Sequence, residues 1–172
     1  MITPDSEANI PILVGQAIQS ALLGEYPDVP VFLRHLRTTD GTQVVGVLCD
    51  NLDPQESTKE IGHGPFLGAP AFSAPTMRTY NFQIEALVTD TDNTRGISTH
   101  HAMAAWIYRV LAYSEPLRVA LAVLSISSSG FNEKVTRWDV RKQHYRDNTV
   151  KGRWLAMSVT EFWVETVSTR EM

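Results

Sequence analysis

Residues Thr79 to Thr89 alternate: Tyr80, Phe82, Ile84, Ala86 and Val88 are apolar or aromatic, and Asn81, Gln83, Glu85, Leu87 and Thr89 fall between them. A two-residue period predicts a strand buried on one face, because successive side chains leave a strand on opposite sides. The next stretch, Asp90 to Gly96, is crowded with short polar residues that bond their own backbone, which predicts a sharp turn. Ser98 or Thr99 is then placed to cap a helix over about residues 99–113. Met103, Trp106, Ile107, Val110 and Leu111 give that helix one apolar face. Pro116 ends it, since the residue before a proline is barred from helical dihedrals.

Weaker patterns flank this strand and helix. A first helix starts from an Asn9 or Ser6 cap, takes Pro11 early and stops at Gly24; its apolar face is predicted as Ile12, Leu13, Gln16, Ala17, Ser20 and Leu22 or Leu23. Val29 to Thr38 reads as a strand, Asp40-Gly41 as a hairpin turn, and Gln43 to Asp50 as the partner strand. Leu117 to Ile126 continues as a short helix and a strand. In Val135 to Gln143, Thr136, Trp138 and Val140 alternate with Arg137, Asp139 and Arg141, again a half-buried strand. A turn is placed at Asp147-Asn148. The closing strand, Gly152 to Val167, is apolar on both faces over its first half, which predicts a central place in the sheet or cover by another subunit.

Between these elements, residues 51–77 break the pattern. Pro54, Gly62, Gly64, Pro65, Gly68, Pro70 and Pro75 interrupt them, while Ile61, Phe66, Leu67 and Phe72 are too apolar for a solvated linker. A connection of that length inside a compact domain is normally functional or disordered, and the aromatics point to an arm packed on a neighbouring copy, with a loop packed on its own domain as the alternative. The expected architecture is a single α+β domain over residues 1–172: a mixed or antiparallel sheet of about four to five strands, packed with two helices and carrying this arm.

Composition adds charge asymmetry. The chain has 15 Lys and Arg against 19 Asp and Glu, yet Lys134, Arg137, Arg141, Lys142, Arg146, Lys151 and Arg153 crowd one stretch with only Asp139 and Asp147 against them. The remainder is therefore strongly acidic, and a two-signed surface suits docking by charge complementarity. Arg137, Arg141 and Lys142 are the expected docking face; the plain alternative is lysines and arginines guarding a sheet edge. Trp138, His144 and Tyr145 are interleaved with these basic residues, a composition shared with nucleic-acid stacking grooves, but the net acidic balance speaks against tight DNA binding. Cys49 stands alone, so no internal disulfide forms, and its apolar surroundings mark it as a small packed hydrophobe. No apolar run is long enough for a membrane span, and the first residues lack the positive start of a signal peptide, so folding in the cytoplasm is expected.

No phosphate-cradling loop, nucleophile elbow or zinc helix is present, and no catalytic, cofactor-binding or metal-ligating residues are assigned. His100 and His101, adjacent on a helix, point about a hundred degrees apart, poor geometry for one metal, and are read as a helix surface or a subunit contact.

The element order, the strand Arg78-Thr79-Tyr80-Asn81-Phe82-Gln83-Ile84-Glu85, the helix Ala102 to Leu111 and the closing Trp154-Leu155-Ala156-Met157-Ser158-Val159-Thr160 resemble the tail terminator proteins of long-tailed bacteriophages and related tail-like particles, across most of residues 8–167. The resemblance implies a virion structural protein assembled in the host cytoplasm: a homohexameric ring that caps the tail tube, stops its polymerisation and meets the neck or head-completion proteins. DNA would pass through its lumen without sequence-specific binding. It implies no catalytic residues, no cofactor and no membrane. Ile61, Phe66, Leu67 and Phe72 would contact neighbouring copies. Another connector or tail-tube subunit, a plain adaptor domain, and a small hot-dog-like thioesterase using Glu85 or His101 beside a ligand pocket are the competing readings.

Overall fold

The computed structural model describes residues 9–49, 55–57, 76–128, 131–150 and 153–170. The elements run α1 (Ile10–Glu25), β1 (Val31–Phe32), β2 (Gln43–Cys49), β3 (Gln55–Ser57), β4 (Thr76–Asp90), α2 (Asn93–Tyr113), α3 (Glu115–Ala122), β5 (Ser125–Ser128), β6 (Phe131–Val150) and β7 (Arg153–Arg170). They form one mixed sheet in the order β1-β2-β4-β7-β6-β5, with β3 on β4 beyond the end of β2. The α+β class is as expected. The described residues hold seven strands against the four to five expected: β1 and β5 fall, shorter, where the sequence pattern places strands, and β3, with three residues, is too short to carry a period. The short helix expected from Leu117 is α3, which starts at Glu115, where Ser114 accepts from Leu117 N and restarts the helix after α2 has ended, and it brings the helices to three against the two of the expected architecture.

The helices cover one face of the sheet. Tyr80, Phe82, Ile84, Ala86 and Val88 of β4 and Trp154, Ala156, Phe162 and Val164 of β7 are buried beneath them, with Phe82 directly opposite Phe162. From α2, Met103, Trp106, Ile107, Val110 and Leu111 are buried as the spacing predicts. As expected of a strand apolar on both faces, β7 lies centrally, between β4 and β6.

Several boundaries and faces differ from expectation. The cap of α2 is Asp92, whose side chain accepts from Arg95 N, so the helix starts inside the supposed turn and six residues before Thr99. Asp90 makes that possible: it accepts from Asp92 N and from both the Nε and Nη2 of Arg95, which holds its carboxyl well below the usual range. In α1, Asn9 is the cap, but the buried face is Ile10, Val14, Ile18, Ala21 and Leu22, and Ile12 is exposed. Apolar residues sit on both sides of that helix, so periodicity alone left its phase open. The expected β1–β2 hairpin is not formed. β1 keeps two residues and runs parallel to β2, and the chain between them is tied by Arg34 to Asp40 at 2.8 Å and by Leu36 N to Glu85 Oε2 at 2.8 Å. The turn placed at Asp147-Asn148 is strand instead: β6 runs to Val150 and β7 begins at Arg153. Within the arm, Gln55–Ser57 pairs with β4; Ile61, Phe66, Leu67 and Phe72 lie outside the described residues.

Two glycines mark close approaches. A Cβ on Gly46 would meet the Arg34 carbonyl at 2.7 Å, where the loop between β1 and β2 crosses the sheet. A Cβ on Gly96 would meet the Trp154 ring, with Cζ3 at 2.7 Å. Because Trp154 is itself buried, Gly96→Ala is expected to destabilise the fold by about 1–3 kcal/mol through overpacking. Urea unfolding at neutral pH checks this, and a midpoint equal to wild type would show that α2 can lift off the ring without cost.

Candidate interaction surface

β6 is a twenty-residue strand, but only Phe131–Lys134 have β5 on their outer side. From Val135 to Val150 that side has no strand partner among the described residues. A strand edge of this length, bonded at its start where Val135 N donates to the Leu124 carbonyl at 3.1 Å, invites pairing with another chain, and proteins restrain it with charges and bulges. Both devices are present. The β6–β7 register shifts between Val135 and Arg137 and again between Val140 and Lys142, leaving Thr136 and Arg141 as extra residues.

Each shift re-aims side chains. The even-numbered residues of β7 from Trp154 to Ser168 are buried under the helices, so the odd-numbered ones face outward. Arg137 lies opposite Glu165, Asp139 opposite Trp163 and Lys142 opposite Glu161, all on the outer face. Without the first shift Arg137 would point at the helices; without the second, Lys142 would. A bulge turns a strand's alternation over in this way. The predicted docking residues Arg137, Arg141 and Lys142 are thus brought together on one face, and all three are exposed.

Sequence reasoning missed the residue on which two of them rest. Trp163 faces outward yet is only 7% exposed, because Arg137 and Arg141 place their guanidinium carbons 5.3 and 5.2 Å from its ring centre. The signal in the sequence is indirect: Trp163 stands among outward-facing Glu161 and Glu165, an odd position for a large aromatic. Trp138 and Tyr145, by contrast, lie on the opposite face. Trp138 packs against the core, and Tyr145 lies over the rings of His100 and His101 at 4.8 and 6.0 Å. The sheet therefore separates Trp138 and Tyr145 from the arginines, whereas His144, opposite Val159 and 3.1 Å from Glu161, stays on the outer face with them; the three interleaved rings do not assemble one stacking groove.

His100 is a correction. Instead of lying on a helix surface it is 1% exposed, packed by Tyr145 and Trp154, and neither ring nitrogen has a hydrogen-bond partner among the described residues. Burial, with a smaller contribution from the charge of His101, pushes its pKa down to about 4. His101 is exposed.

The residues suggested for a hydrolase are apart. Glu85 accepts from Leu36 N at 2.8 Å and lies 3.0 Å from His35 Nδ1, anchoring the loop on the outer face, while His101 is on α2, across the sheet. An open groove of about 620 Å³ runs between α1 and the sheet beside Ile12, Leu33, Val47, Cys49 and Tyr80, and neither Glu85 nor His101 lines it. Cys49 is partly buried against the core, as a small hydrophobe would be. Among the described residues no three His, Cys, Asp or Glu side chains are grouped as a metal would need, and no helix is long and apolar enough to cross a membrane.

No family model and no curated protein sequence matches the chain. Among solved structures, a chain described as "Virion of native gene transfer agent (GTA) particle" is similar at 13% identity and a TM-score of 0.47, covering 95% of this chain and 99% of that one.

Proposed function

We propose that the protein is a structural component of a phage-like virion, a tail terminator that closes into a ring of six copies, caps the tail tube and presents a docking face to a neck or head-completion protein. The observation that carries this reading is the edge of β6 beyond Val135, which has no strand partner among the described residues, beside an outer sheet face without helices. Such an edge is a surface for another chain, and a closed ring consumes edges that would otherwise allow unlimited growth. The resemblance in element order to tail terminators supplies the kind of assembly. Ile61, Phe66, Leu67 and Phe72 are proposed as contacts between copies, and Arg137, Arg141 and Lys142 as the face that meets the next protein. The role is non-enzymatic, without cofactor or membrane; DNA passes through the lumen without sequence-specific contacts.

The purified protein is expected to form closed rings with a central hole about as wide as a DNA duplex, read by negative-stain electron microscopy and by light-scattering mass. Long tubes grown by the protein alone would assign it to the tube instead. A well-packed monomer at all concentrations would end the assembly reading.

A further inference from the structure

Two guanidinium groups share one indole on the outer face, and that arrangement says more than a basic patch does. Arg137 and Arg141 both lie over Trp163, and neither makes an ion pair with any described residue. A guanidinium stacked on an aromatic ring keeps its in-plane N–H edge free, and that edge matches a carboxylate in bidentate fashion. Stacking also fixes the side chain beforehand, so less freedom is lost when a ligand arrives. Beside Arg141, a polar recess of about 200 Å³ is lined by Asn81, Gln83 and Glu161, large enough to admit one side chain.

The identity of the occupant follows from the charges around the pair. Asp139, Glu161 and Glu165 lie on the same face as the arginines. A nucleic-acid strand carries a phosphate about every 3.4 Å and would be forced against these carboxylates, whereas a polypeptide can place a few acids at chosen intervals. The contacts that close a ring are heterologous and join different surfaces of neighbouring copies, which leaves this face to a different protein, and a twofold contact centred on the arginines would oppose like charges.

We propose that Arg137 and Arg141, held on Trp163 beside the recess at Asn81 and Gln83, form a docking site for a carboxylate-bearing extended segment of a different protein. This names the partner chemistry of the docking face and rests on that part of the assembly reading. The two bulges are then the device that turns the basic residues to the outside.

The test uses the full chain and three fluorescent probes: a twelve-residue peptide of alternating Glu and Thr, its Lys and Thr counterpart, and a twelve-base-pair DNA duplex. Anisotropy at low and moderate salt is expected to show binding of the acidic peptide only, weakened about tenfold or more by Arg137→Gln with Arg141→Gln. Arg137→Lys with Arg141→Lys keeps the charge but loses planarity, and is expected to weaken binding about threefold or more. Equal binding of duplex and acidic peptide, or a lysine variant equal to wild type, would overturn the proposal, as would no binding of the acidic peptide. Light scattering on the same samples separates the two readings. Rings that ignore the peptide remove this site and leave the ring; a monomer that binds it keeps the site and removes the ring. Loss of the ring in the glutamine variant, with circular dichroism unchanged, would make the arginines a contact between copies and overturn the assignment to a different protein.

Discussion

Replacing Glu133 by alanine is expected to destabilise the protein by about 2–4 kcal/mol, because the change orphans the groups gathered around a buried carboxylate. Glu133 is 4% exposed and accepts from Tyr80 Oη at 2.9 Å and from Thr166 Oγ1 at 2.5 Å, with Arg78 Nη1 at 3.7 Å. These groups come from β4, β6 and β7, so one side chain ties three neighbouring strands together below the helix layer. Burial is the first cause that raises the Tyr80 hydroxyl to about 12, and its bond to Glu133 the second. The phenol therefore stays a donor across the physiological range. In Glu133→Ala both hydroxyls lose this acceptor and Arg78 loses one nearby carboxylate. Glu133→Gln keeps an acceptor oxygen, and its cost is expected to be about half as large. Urea unfolding of the two variants checks this order; an alanine variant as stable as wild type would show that the network contributes nothing net.

Acid is expected to weaken the fold through His100, and His100→Leu to abolish that part of the response. The unfolded chain takes up a proton at the imidazole's ordinary value of 6.5, whereas the folded protein resists until about 4. Between those values the unfolded state holds more protons, so stability is complete above 6.5 and declines as pH falls through the window, by about 3 kcal/mol in total. The groups packed on the ring are Tyr145 from β6, Trp154 from β7 and His101 from its own helix. None supplies a carboxylate that would reward the charge. Asp40 is held down to about 2, mainly by its bonds from Arg34, and Asp90 is also held low; both lose their contributions only below the ordinary carboxylate range, so the windows do not coincide. His100→Leu removes two unsatisfied ring nitrogens from the core, and a gain of about 1 kcal/mol at neutral pH is expected with it. Chemical denaturation at pH 7, 5.5 and 4.5 measures both effects. A slope between pH 6.5 and 4.5 identical in wild type and variant would place the acid sensitivity elsewhere.

Much of the frame was legible in the chain. The alternation of β4, the apolar face of α2 and the two-faced hydrophobicity of β7 are each long enough to carry a period, and long periods survive packing unchanged. The failures fall where local signals compete. The polar run Asp90 to Gly96 holds turn-formers and helix caps of the same residue types, so Asp92 could begin the helix in what looked like a turn. Asp40-Gly41 is a good hairpin signal, yet the two-residue β1 runs parallel to β2, because Glu85 and the Arg34–Asp40 pair hold the intervening loop across the sheet.

The candidate surface divides in the same way. Charge clustering alone picked out Arg137, Arg141 and Lys142, since composition is a property of the chain. Strict alternation would have split Arg141 from Lys142 across the sheet, and only the second register shift, visible in the pairing of β6 with β7, returns them to one face. Trp163 as their platform and His100 as a core residue required the folded chain too, because both depend on contacts between residues far apart in sequence. The sequence by itself determined the long strands, the central helix and the sign of the charge on β6, for these follow from periodicity and composition. The tertiary structure decided the phase of α1, the direction of β1 and the facing of the arginines. Each is a choice between locally near-equal conformations, settled by what the rest of the protein packs against it.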